Sequence, residues 1–249
     1  MKKKSPTFTI LTDVYWGFSL FKEGIRSVQN QTYSNLEIVI INNGADEEIT
    51  DYVLDLASKD QRIKILHYKE NRFRWDDSEY FLMLILNEAL KKKITGDYIF
   101  YKSYDDLLSE NYAECMVKLF KEDPSCLTAS GRPVSVYDSG IDQKELNERT
   151  KNIRPRYMPG HLLVLDFLKG GNKWSSPGSL LTLKRKSLIE AGGWDRNTDL
   201  SHFLRILPFG VTGFDENAIL YWRRHEGQTN KLLNRKGYTG APALYDLLD

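Results

Sequence analysis

Apolar residues along the first part of the chain fall alternately into short unbroken runs and one-sided periodic stretches. Phe8 to Leu11, opened by Pro6, is a β-rich run that predicts a buried strand. Phe18 to Gln31 carries Phe21, Ile25 and Val28 at i, i+4, i+7, the pattern of an amphipathic helix. Leu36 to Ile41 is an almost continuous β-branched run that stops at Asn42-Asn43-Gly44, a turn signal. Ile49, Val53 and Leu56 predict a second helix and Arg62 to Tyr68 a third strand. Ser78 to Lys92 predicts a third helix, apolar on several sides and therefore well buried. Asp97 to Tyr101, announced by Gly96, predicts a fourth strand.

The pattern is less regular further on. Asn111 to Lys121 predicts a helix, Leu127 to Val136 a strand, and Asp138 to Tyr157, polar and charged, an exposed excursion. Helices are expected over Gly160 to Lys169, Arg185 to Ala191 and Leu200 to Leu207, and strands over Ser179 to Leu183 and Ala218 to Arg223. No internal repeat or low-complexity segment is visible.

Strand and helix in alternation predict an α/β fold: a mostly parallel, Rossmann-like central sheet with helices on both faces. Such sheets bind ligands at the carboxyl ends of their strands. That directs attention to Thr12-Asp13, Asn42-Asn43-Gly44, Tyr68 to Arg72 and Ser103 to Asp106. No glycine-rich dinucleotide fingerprint follows the first strand and no phosphate loop ends in Gly-Lys-Ser/Thr, which argues against a dehydrogenase or a P-loop ATPase. The Gly-x-Ser-x-Gly elbow of serine hydrolases and the His or Cys pairs of zinc sites are also missing.

Composition narrows the picture. The chain has 249 residues, 41% hydrophobic and 28% charged, and can bury a sizeable core. The formal net charge is +1, so no basic footprint points to nucleic acid. The local excess at Lys2-Lys3-Lys4 reads as a solvated tail, with a peripheral membrane contact as the alternative. Two cysteines, Cys115 and Cys126, make no disulfide framework. The longest apolar run, Tyr80 to Leu86, falls far short of the ~20 residues that span a bilayer. Met1-Lys-Lys-Lys is followed by Ser5-Pro6 and a strand-like segment rather than an apolar export signal, so the expectation is a cytoplasmic protein.

Four segments together resemble the family 2 glycosyltransferases of the GT-A fold. The stretch from Ser27-Val28 through Gln31-Thr32-Tyr33 to Asn42-Asn43-Gly44 resembles the family's Ser-Val-x-x-Gln-Thr-Tyr helix end and the strand closing on Asp-Asp-Gly-Ser. Gly96-Asp97-Tyr98-Ile99 leads to Ser103-Tyr104-Asp105-Asp106, where the family carries an Asp-x-Asp metal motif. Ala191-Gly192-Gly193-Trp194-Asp195 followed by Asp199 resembles its Gly-Gly-Phe-Asp and Glu-Asp pair. Tyr221-Trp222-Arg223-Arg224-His225 is similar to its late Tyr-Arg-x-His segment.

The resemblance implies an inverting transfer of a sugar from a nucleotide-sugar donor, a UDP-sugar first, to a hydroxyl of a saccharide or lipid-linked saccharide acceptor. A divalent cation, Mn²⁺ or Mg²⁺, would neutralise the diphosphate leaving group. Asp199 is then the candidate base, and Asp105 and His225 the candidate metal ligands. Thr12, Asp13, Tyr15, Asn42, Asn43, Asn71, Tyr104, Asp105 and Asp106 are candidate donor contacts, and Trp174 and Trp194 candidate acceptor contacts. The blander readings stay open: Asp105-Asp106 as a turn and helix cap, and Asp199 as the N-cap of a helix starting at Leu200.

Two departures stand out. Ser103 replaces the first Asp of Asp-x-Asp, and Asn42-Asn43 replaces Asp-Asp, which weakens the case for uridine. They keep a second reading alive, a degenerate homologue that binds nucleotide or glycan without turnover. The expected organisation is one GT-A domain over 1–249. It would have a nucleotide-sugar half at 1–108, an acceptor and base half at 109–225, and a tail at 226–249.

Overall fold

The computed structural model describes residues 5–144, 155–169, 181–195 and 204–235. Four parallel strands form one side of its sheet: β1 (Phe8–Val14), β2 (Leu36–Asn43), β3 (Ile63–Tyr68) and β4 (Tyr98–Tyr101), in the order β3-β2-β1-β4. Parallel neighbours need crossovers, which α1 (Phe18–Gln29), α2 (Glu47–Lys59) and α3 (Ser78–Lys92) supply. The sheet continues through β9 (Leu181–Lys184), β6 (Cys126–Tyr137), β10 (Val211–Arg223) and β5 (Leu107–Leu108). Strand β9 is antiparallel to both its neighbours, β10 runs parallel to β6, and β5 is antiparallel to β10. Two short strands, β7 (Gly140–Ile141) and β8 (Tyr157–Pro159), pair with β6 and β10.

Every residue of β1 and β2 is buried, as in strands covered on both faces. Alternation assigns the side chains. Phe8, Ile10, Ile38 and Ile40 enter one core cluster with Phe21, Ile25 and Val28 of α1 and with α4 (Tyr112–Glu122). Leu11, Val39, Ile41 and Leu66 enter the other with Ile85 and Leu86 of α3, α5 (Gly160–Leu168) and α6 (Arg185–Glu190). The expected helices and strands of the first half appear within a few residues of their predicted ends.

The second half differs in detail. β10 begins at Val211 rather than Ala218, because the polar stretch Asp215-Glu216-Asn217 coincides with a register shift between Phe214 and Ile219. Strands β5, β7 and β8, too short for a periodic signal, were not expected. Of the predicted helix over Leu200 to Leu207, only Leu204 onward lies within the described residues, and a 3-10 turn, Leu207–Phe209, follows. No helix among the described residues is long and apolar enough to cross a membrane.

One buried charge ties the parallel strands together. The Glu37 carboxylate, in the middle of β2, accepts from Thr9 Oγ1 (2.8 Å), Lys64 Nζ (2.5 Å), Thr95 N (2.9 Å) and Gly96 N (3.3 Å). It therefore links β1, β3 and the entry to β4. Burial alone would raise its pKa, but the hydrogen bonds from Lys64 and Thr95 outweigh burial and hold it below the usual carboxylate range. Replacing it leaves buried donors unmet, which costs about 1–3 kcal/mol. Glu37→Ala is expected to lower the urea midpoint with little change in slope. A depressed acid stabilises above its unfolded pKa, so the gap to wild type should narrow as pH falls below about 4.3. An unchanged midpoint at pH 7 would sink this role.

Candidate active site

The chain leaves β4 into a turn, Lys102 to Asp106, and then enters β5. Pairing of Leu108 with Leu220 and Leu107 with Tyr221 lays this turn beside the end of β10. Asp106 Oδ1 consequently accepts from Arg223 N at 3.0 Å. Asp105 Oδ2 lies 2.8 Å from His225 Nε2, across a sequence separation of 120. On the other side, the register that pairs Leu11 with Tyr101 brings the end of β1 to the same sheet edge. The Tyr101 hydroxyl donates to Asp13 Oδ1 at 2.8 Å. Three buried carboxylates, Asp13, Asp105 and Asp106, thus converge where a parallel sheet binds its ligands.

Helix α1 forms the back of the turn. Gly24 and Ser27, at i and i+3, lie on one face of the helix, and Gln31 follows just past its end. A Cβ on Gly24 would stand 2.2 Å from the Tyr104 carbonyl oxygen, so only glycine permits this approach. Ser27 Oγ accepts from Leu108 N at 3.1 Å. Gln31 Nε2 donates to Ser109 O at 2.8 Å, while its Oε1 accepts from Ala113 N at 2.9 Å. Asn111 makes no side-chain cap, so Gln31 meets one of the open N–H groups that begin α4. The Ser-Val-x-x-Gln-Thr-Tyr segment is therefore a brace for the carboxylate turn.

Burial sets the charges. It pushes the Asp13 carboxyl up to about 6, with Asp105 adding to the rise and the Tyr101 hydrogen bond opposing it. Burial and the neighbouring Asp105 also raise Asp106, while Lys102 pulls it back. Lys102 itself is buried, and its Nζ donates to the carbonyl oxygens of Ser103 (2.6 Å) and Asp106 (2.7 Å). The buried Arg223 Nε and Thr12 Oγ1 have no hydrogen-bond partner among the described residues.

Aromatic rings wall the site. Tyr15 packs on Trp16 and Phe73, with centroids at 4.1 and 5.3 Å, and Trp16 stacks on Trp75 at 5.8 Å. Trp16 Nε1 donates to the Tyr104 hydroxyl at 2.9 Å, which joins this wall to the carboxylate turn. Thr229, first residue of α7 (Thr229–Arg235), hydrogen-bonds Tyr15, so the start of the tail reaches the mouth of the site.

The other candidates fall in different places. Asn42 and Asn43 are 1% and 0% exposed. Asn42 holds its turn through Ala45 N and Thr50 Oγ1. Asn43 donates to Asn71 Oδ1 at 3.0 Å and accepts from Arg72 N at 3.2 Å. At Gly44, φ +60, a Cβ would stand 2.2 Å from Asn71 N. These residues thus lock the loop after β3. Trp194, expected on the acceptor side, is 4% exposed and lies in the core cluster with Phe81 and Leu188. Asn87 of α3 clasps its backbone, accepting from Trp194 N and donating to Trp194 O. That clasp turns the ring inward. Asp199, Trp174 and Lys2 to Lys4 lie outside the described residues. Tyr101, Lys102 and Trp16 were not singled out from the sequence. Lys102, a charge directly behind a predicted buried strand, was the signal available.

The sequence profile of glycosyl transferase family 2 matches residues 9–188. The chain belongs to this family. An uncharacterized glycosyltransferase of Rickettsia typhi is 28% identical over 239 residues, covering 93% of this chain and 68% of the relative. The chain spans only 15% and 30% of the length of two other curated glycosyltransferase relatives. Among solved structures, S. aureus TarS 1-349 in complex with UDP-GlcNAc superposes with a TM-score of 0.63 at 9% identity, over 90% of this chain and 60% of that one. The Pyrobaculum calidifontis mannosyltransferase PcManGT in complex with GDP-Man and Mn²⁺ gives 0.61 at 16% identity, over 96% and 66%. The fold is the GT-A fold of glycosyltransferases.

Within this family 2 site, no three His, Cys, Asp or Glu side chains among the described residues form a metal cluster. What the site offers is the Asp105–His225 pair. Such a pair does not fit an all-protein cage. It does fit Mg²⁺ or Mn²⁺ held together with substrate phosphates, since ions of this kind take one or two carboxylates plus phosphate oxygens.

Two outcomes are expected from this geometry. Gly24→Ala drives a methyl into backbone and should cost about 1–3 kcal/mol of stability. A melting temperature equal to wild type would show that α1 and the turn separate freely. Asp13, raised above its unfolded value, is protonated in the folded chain where the unfolded chain has released its proton. Its contribution to stability therefore falls as pH rises toward about 6. Asp13→Asn should accordingly compare better with wild type at pH 8 than at pH 4 in urea titrations. The reverse order would contradict a raised Asp13.

Proposed function

We propose that the protein transfers a sugar from a nucleoside diphosphate donor to a hydroxyl of a saccharide or lipid-linked saccharide acceptor, with inversion. The observation that carries this is the joining of Asp105 to His225 beside Asp13 and Asp106 at the carboxyl ends of β1 and β4. Family membership and the solved relatives that bind UDP-GlcNAc or GDP-Man support a nucleotide-sugar donor. A UDP-sugar is the first donor to try.

The chain's own residues then divide the work. Asp13 and Tyr15, at the end of β1, are the donor contacts on this side of the site. Asp105 and His225 would hold a divalent cation, which when bound supplies positive charge to the departing diphosphate. Arg223 Nε, buried without a partner among the described residues, is a spare donor at the same edge. Asp199 takes the acceptor's proton as its oxygen attacks the anomeric carbon. The bond from that carbon to the diphosphate breaks on the opposite face, so the configuration inverts. A general base typically supplies 10²–10⁴-fold.

Release of nucleoside diphosphate from UDP-sugars and GDP-mannose, with saccharide acceptors and Mn²⁺, tests this reading. Turnover is expected, and Asp199→Asn should lower kcat by about 10²–10⁴ while nucleotide affinity is kept. Full activity in Asp199→Asn removes that residue as base. Ser103 in the Asp position favours a second reading, binding without turnover. It would be supported by intact nucleotide binding with no donor consumed under any condition.

A further inference from the structure

Lys102 is the buried charge that the proposed transfer leaves unused. It directly follows β4, is 2% exposed, and its Nζ bridges the carbonyl oxygens of Ser103 and Asp106. Those carbonyls flank Tyr104-Asp105 within the turn, so the ammonium ties the two sides of that stretch together. A Cβ on Gly24 would come within 3.0 Å of the same Nζ, which places α1 directly behind it. Burial disfavours the charged amine, while Asp106, Asp105 and Asp13 favour it and Arg223 opposes. The carboxylates around it carry the opposite pressure, since burial works against their charge too.

Charge counting gives this arrangement its meaning. Ser103 leaves the turn one negative charge short of the motif it resembles, and Lys102 adds one positive charge. Together these shift the site by two units, the charge of one Mg²⁺ or Mn²⁺. Neighbouring carboxylates disfavour each other's charge, and a positive charge within a few ångströms relieves that. Here a resident ammonium, held by two carbonyl hydrogen bonds, does so beforehand. We propose that Lys102 is a positioning residue and the built-in counter-charge of this site, enabling it to bind a nucleoside diphosphate without a divalent cation. This rests on the reading of the site as a nucleotide-sugar pocket.

The test is calorimetry of UDP and GDP binding to the full chain, in EDTA and in Mn²⁺, for wild type and Lys102→Met. Wild type should bind in EDTA within about tenfold of its affinity in Mn²⁺, and Lys102→Met should lose about tenfold or more in EDTA and regain most of it in Mn²⁺. A loss of equal size in both conditions marks a merely structural lysine and overturns the proposal, as does no loss at all. Should Lys102→Met fail to fold, Ser103→Asp keeps the lysine and adds the missing carboxylate. That variant should bind more weakly than wild type in EDTA and more tightly in Mn²⁺, and the absence of this crossover overturns the proposal. Wild-type binding seen only with Mn²⁺ defeats it while sparing the transferase reading. No binding of either nucleotide in any condition defeats both.

Discussion

Helix α1 and the segment after β4 approach until no methyl group fits between Gly24 and the Tyr104 carbonyl. That contact fixes where the carboxylate turn lies relative to the sheet. Ser27, on the same helix face, and Gln31, just past the helix end, then carry the contact forward to Leu108, Ser109 and the start of α4. Because β5 follows at once and pairs with β10, the position of the turn also decides where Arg223 and His225 arrive. A displacement of α1 would move both halves of the site together.

Electrostatics impose the second constraint. Burial works against the charge of Asp13 and Asp106, and each carboxylate of this edge has a different partner. Asp13 has a phenol, Asp105 an imidazole, and Asp106 a backbone N–H. Among the described residues each has fewer hydrogen-bond partners than the set that keeps Glu37 ionised in β2. The difference separates a structural acid from acids left with capacity for a ligand. Glu37 is fully occupied by the fold, while the site carboxylates are held in place but not saturated.

Much of the fold could be read from the chain because its signals are local. The β-branched run Leu36 to Ile41 and the i, i+4, i+7 spacing in α1 report burial directly. The site could be read only in part. Asp105 and His225 were recognisable as residue types at strand ends, but their contact depends on β5, two residues long and without periodicity of its own. Asn42 and Asn43 were visible as a turn signal, and the Asn42 amide does hold the turn after β2 while that of Asn43 holds the loop after β3. Trp194 was a candidate acceptor contact through the resemblance of Gly192-Gly193-Trp194-Asp195 to the family. The clasp from Asn87 that turns it inward comes from a helix far away in sequence.

The segments that resemble family 2 therefore divide into two kinds. Gln31, Asn43 and the Gly193-Trp194 backbone maintain shape through hydrogen bonds made inside the chain. Asp105, His225 and Asp13 keep hydrogen-bonding capacity that the described residues do not fill. A sequence can retain the first kind under pressure for stability alone, so the likeness to the family records the fold more securely than the chemistry. The residue at 103 belongs to the second kind. Changing Asp to Ser there breaks none of the braces from Gly24, Ser27 or Gln31, because they grip the backbone and not that side chain. The scaffold thus tolerates a change in its charged lining without a change in shape, and Lys102 sits where it can answer that change.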